Sequence, residues 1–93
     1  MIYLVAYDIA EPKRLRRVCS LLEGFGTRVQ YSVFECNIST STMMGLWELL
    51  MRRINPEEDR LSAYPIDQSN LDRTLRAGAF SGPPVGENLL LIM

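Results

Sequence analysis

Asp8 closes the apolar run IYLVAYDI, residues 2 to 9, in a chain of 93 residues that contains no histidine. A carboxylate at the mouth of a buried strand has two plain uses. It can hold a hard cation such as Mg²⁺, which takes oxygen ligands and keeps several of its waters. It can also cap the next helix by accepting amide hydrogens from the loop that follows. The residues alone leave both uses open. One carboxylate makes a poor metal cage, although a two-fold axis would bring a second. Without imidazole, Cys–His nucleophilic catalysis is excluded, and four nitrogen or sulfur ligands for zinc are not at hand. Cys19 and Cys36 lie within apolar patterns, lack metal-ligand spacing and read as small buried hydrophobes.

Cations cluster close to Asp8. Of the ten basic residues, nine are arginine and only Lys13 is lysine. Arginine suits bidentate contact with phosphate, although a GC-rich genome would enrich it everywhere. Placement argues for phosphate. Residues 11 to 28 carry Lys13, Arg14, Arg16, Arg17 and Arg28 against Glu11 and Glu23, whereas residues 48 to 67 are net acidic. A basic zone beside the strand-end acid fits a polyanion, even though the whole chain is near neutral at −1. Within it, Arg17 and Arg28 are candidate phosphate clamps, and Gln30 and Ser32 add hydrogen-bonding groups on the face of Arg28. Phe34 reads locally as core or interface, with base stacking as a second reading.

These residues need a scaffold to position them. Residues 2 to 8 form a β-branched and aromatic strand with both faces apolar, which implies a central position. Ile2, Leu4 and Ala6 share a face with Asp8, and Tyr3, Val5 and Tyr7 line the other. Glu11-Pro12 opens a helix whose stripe is Leu15, Val18, Cys19 and Leu22, with Gly24 and Gly26 stopping it. TRVQYSVFEC, residues 27 to 36, alternates at period two, and the long segment 28 to 38 is expected to bend or break. STSTMM supplies N-caps for a second helix with Met43, Leu46, Trp47, Leu50, Met51 and Ile54 inward. Asn55-Pro56 ends that helix, and the acidic residues after it read as a solvated turn. Residues 60 to 66 form a further strand, in which Pro65 suggests an edge position or a strand end, and residues 67 to 77 a short helical or irregular piece using Leu71 and Leu75.

The order of elements predicts an α+β chain with a ferredoxin-like βαββαβ plan over residues 1 to 78. Residues 79 to 93 are expected to be a connector and an extra C-terminal strand, NLLLIM, that pairs with a partner subunit. Two helices cover one face of such a sheet. The other, expected to carry Leu4 and Phe34, calls for a homodimer packed sheet to sheet. No apolar run approaches the ~20 residues of a membrane span, and no leader-like segment is visible, so the sequence reads as cytoplasmic.

The YDI that closes the first strand, the basic first helix and the block GTRVQYSVFE resemble the CRISPR-associated protein 2 family over roughly residues 1 to 66. The resemblance implies small ferredoxin-like homodimers that act in spacer acquisition with the CRISPR integrase. Some members are metal-dependent endonucleases cutting single-stranded RNA or duplex DNA. The family aspartate falls on Asp8, where two copies would share one Mg²⁺ across the dimer crevice. The other family residues fall on Arg17, Arg28, Ser32 and Phe34. Some members carry a further basic residue where this chain has Leu15, here flanked by Arg14 and Arg16. Two functions stay open: Mg²⁺-assisted phosphodiester hydrolysis at the crevice, or a non-catalytic dimeric scaffold bridging integrase dimers on duplex DNA.

Overall fold

The computed structural model describes residues 1–78. Their elements are β1 (Ile2–Asp8), α1 (Pro12–Glu23), β2 (Thr27–Gln30), β3 (Val33–Asn37), α2 (Thr40–Met51), β4 (Arg60–Ile66) and a short α3 (Gln68–Asp72). The strands form one sheet in the order β2-β3-β1-β4, with each neighbouring pair antiparallel. This is the ferredoxin-like arrangement the sequence predicts. β1 is central, as its two apolar faces require, and β4 with Pro65 lies at the edge. The expected C-terminal strand lies outside the described residues.

Both long helices start where the sequence places capping groups. Glu11 accepts the amide of Arg14 at 2.8 Å ahead of Pro12 in the first turn. Ser39 accepts the amide of Thr42 at 3.1 Å. The helices bury Val18, Leu22, Met43, Leu46 and Leu50 against Tyr3, Val5, Tyr7, Phe34 and Cys36. Met51, expected on the inward stripe, is exposed instead.

Phe34 is also corrected. It is opposite Val5 in the β1–β3 register and 1% exposed within the helix-covered core, so it does not share the open face with Leu4. The open face carries half-buried Leu4 and Ala6. α3 shields one end of it, burying Leu71 against Ile2 and Val29, whereas Leu75 is 88% exposed and contributes nothing to that packing.

The segment expected to bend does break, at the Tyr31-Ser32 turn, and the pairing slips between Arg28 and Gln30. The entry to β2 is tight. A Cβ on Gly26 would lie 2.3 Å from the Glu35 carbonyl oxygen and 2.6 Å from Cys36 Sγ, so only glycine allows this close approach.

Candidate nucleic-acid interface

Asp8 is the last residue of β1, exposed, and opposite Arg60 of β4 in the strand register. Strand alternation sets it on the face of Leu4 and Ala6. The capping alternative does not describe it: Glu11 caps α1, and the amide of Ala10 donates to Asp59 at 2.9 Å. Among the described residues no side chain pairs with the Asp8 carboxylate.

Asp59 is the polar centre of this end of the domain, and the sequence did not mark it. The acidic stretch read as a solvated turn holds one fully buried carboxylate. Its oxygens accept from the amides of Ala10 and Asn55, the latter at 2.7 Å, and from Arg14 Nε at 2.9 Å. Arg14 also reaches Glu58 at 2.8 Å. The Arg14 guanidinium and the two amides hold the Asp59 carboxyl well below the usual carboxylate range, against the opposing effect of burial. Arg14 therefore leaves the basic zone counted from the sequence and becomes part of the scaffold.

Arg28, Ser32 and Phe34 come together around the β2–β3 turn. The Arg28 guanidinium stacks 5.4 Å above the Phe34 ring, and its Nη1 donates to the Tyr31 carbonyl at 3.4 Å. Ser32 is half-buried, and its carbonyl accepts the Tyr7 amide at 3.1 Å. Phe34, being core, acts on the surface only through the guanidinium it supports. The Tyr7 hydroxyl donates to the Tyr31 carbonyl at 3.1 Å and lies 3.1 Å from Cys19 Sγ. Burial, reinforced by Cys19, raises the Tyr7 phenol above its ordinary range.

Arg17 lies elsewhere, exposed on α1. With Lys13, Arg16 and Arg53 it lines a shallow cationic depression, and Arg53 Nη1 reaches the Arg17 carbonyl at 3.4 Å. Arg53, beyond the end of α2, is a cation the sequence pattern did not join to this group. Asp8 and Arg28 stand on opposite faces of the sheet by strand alternation. One chain thus offers two cationic surfaces and a separate acid.

A four-stranded antiparallel sheet in ferredoxin-like order, carrying a strand-end acid and two separate cationic surfaces, defines a ferredoxin-like α+β domain. The family model described as CRISPR associated protein Cas2 matches residues 1–74. The CRISPR-associated endoribonuclease Cas2 3 of Synechocystis sp. is 44% identical over 70 residues, covering 75% of this chain and 76% of that protein. The CRISPR-associated endoribonuclease Cas2 1 of Chloroflexus aurantiacus is 36% identical over 93 residues, 99% of this chain and 100% of that one. The crystal structure of Streptococcus pyogenes Cas2 superposes with a TM-score of 0.77 at 31% identity, over 84% of this chain and 100% of that one. The chain belongs to the CRISPR-associated Cas2 family.

Proposed function

We propose that this chain acts as a homodimer on phosphodiester backbones in CRISPR spacer acquisition, alongside the CRISPR integrase, and that it is a metal-dependent endonuclease. The observation that carries this reading is Asp8: an exposed acid at a strand end, relieved of capping by Glu11 and Asp59. Relatives named as endoribonucleases support it.

Mg²⁺ is held in many sites by one or two carboxylates and several waters, so Asp8 suits it when a second copy supplies another. No cluster of three or more histidine, cysteine, aspartate or glutamate side chains occurs among the described residues, and the second carboxylate would come from the other copy. A bound Mg²⁺ would supply charge stabilisation at phosphate and a more acidic water. Arg17 and Arg28 would bind and orient the backbone, a contact that carries no sequence information. The half-buried Leu4 and Ala6 of the open sheet face would be covered by the second copy.

The depression lined by Lys13, Arg16, Arg17 and Arg53 favours a second reading, a non-catalytic scaffold on duplex DNA, because it gathers cations away from the acid. Wild type and Asp8→Asn, purified identically, decide between the two on labelled single-stranded RNA and duplex DNA with and without Mg²⁺. Metal-dependent cutting that the substitution abolishes supports the nuclease. No cutting, or equal cutting by both proteins, leaves the scaffold.

A further inference from the structure

Between α1 and the β2–β3 turn lies a cleft of about 440 Å³ to which no role has been given above, although it shares Arg28 with the β2–β3 turn and Arg16 with the cationic depression. Its volume falls within the range of small-molecule sites. Tyr31 forms one wall, with its ring 82% exposed. The backbone beneath that ring is fixed, because its carbonyl accepts both the Tyr7 hydroxyl at 3.1 Å and Arg28 Nη1 at 3.4 Å. An open aromatic face carried on an anchored stretch of backbone is a surface on which a base can stack.

The remaining groups complete a chemical description of the occupant. Arg16 and Arg28 give the cleft two guanidinium groups suited to phosphate, and Arg28 is already oriented by Phe34. Ser20 and Glu23, one helical turn or less apart on α1, offer a hydroxyl and a carboxylate to the edge of a planar polar ring. Aromatic face, flanking cations and polar edge together match one nucleotide of a single strand. A duplex keeps its bases stacked and cannot present one.

We propose that this cleft binds one unpaired nucleobase of a single-stranded nucleic acid, with Tyr31 stacking on the base and Arg16 and Arg28 on its flanking phosphates. The inference rests on the nucleic-acid reading given above but does not require cleavage.

The test is binding by the full chain, followed by fluorescence anisotropy without metal. The probes are a labelled single-stranded oligoribonucleotide, its deoxyribose counterpart, an abasic strand of equal length and a duplex. Tyr31→Ala should weaken binding of the base-bearing strand by roughly tenfold, the scale of one lost base–aromatic stack. Abasic and duplex binding should stay unchanged, and Tyr31→Phe should restore the loss. The ribose and deoxyribose arms show which strand the cleft prefers. Equal loss on all probes, or none on any, would overturn the proposal. Failure of metal-dependent cutting with the Tyr31 effect intact overturns the nuclease alone. Cutting retained with no Tyr31 effect overturns the cleft alone.

Discussion

The buried carboxylate of Asp59 accepts the amide of Ala10, two residues beyond Asp8, at 2.9 Å. The same carboxylate holds Asn55 and Arg14, so the loop leaving β1, the start of α1 and the turn before β4 share one anchor. The acid proposed to act on the backbone is thus seated by an acid that cannot reach it.

Asp59→Asn should destabilise the domain near neutral pH by more than Glu58→Gln, whose partnered side chain is 56% exposed. The pH dependence has a definite sign. A carboxyl whose folded pKa is depressed contributes stability above its unfolded value, near the ordinary 3.8, and loses it as pH falls toward the folded one. The gap between wild type and Asp59→Asn in urea midpoint should therefore be widest above about pH 5 and narrow progressively at lower pH.

Arg14 and Arg17, three residues apart, should separate in their behaviour. Arg17→Ala should weaken duplex binding and lower the slope of log affinity against log salt by about one. Its effect on stability should be within about 0.5 kcal/mol. Arg14→Ala should leave the salt slope unchanged and lower the unfolding midpoint, because its guanidinium is engaged by Asp59 and Glu58. An Arg14 salt slope matching that of Arg17 would show that the ion pair opens on binding.

Glu35 lies opposite Leu4 and Thr27 in the sheet, and its Oε1 is buried without a hydrogen-bond partner among the described residues. Burial raises its pKa, with Arg76 partly opposing. A raised carboxyl pKa costs stability as pH rises through the window above the ordinary 4.5. Glu35→Gln should therefore raise the urea midpoint at pH 7 relative to wild type, with the gain shrinking as pH falls toward 4.5 and absent below it.

Gly26→Ala should destabilise by about 1–3 kcal/mol, the usual range for overpacking, because the new methyl would meet backbone that a side-chain rotation cannot clear. Thermal unfolding measures this directly. Gly45, with open space around its Cβ position, is the control, and Gly45→Ala should stabilise α2 by up to about 1 kcal/mol.

The fold was legible because periodicity, caps and breakers agreed. Proline and glycine bounded α1, Ser39 opened α2, and the two-faced apolar strand of residues 2 to 8 went to the centre. Phe34 was misplaced because period two assigns residues to alternate faces without saying which face the helices cover. Asp59 was missed because its partners Ala10 and Arg14 are remote in sequence, and a short acidic run carries no mark of burial. Tyr31 was missed for the opposite reason: alternation made it one more strand residue, whereas the chain turns there and leaves its ring in the open.

The central position of β1 also means that its two neighbours are made well after it. Its neighbours are residues 33–37 on one side and residues 60–66 on the other, and the Arg14–Asp59 pair spans 45 residues. At a synthesis rate of roughly 5–20 residues per second, β4 follows β1 out of the ribosome by several seconds. Until β4 is made, any pairing of β1 with β3 leaves β1 at an edge of the sheet, with unpaired amides and carbonyls on the side β4 later takes. Pairing with β4 removes that edge, and the Asp59 anchor ties the same end of β1 to the turn before β4.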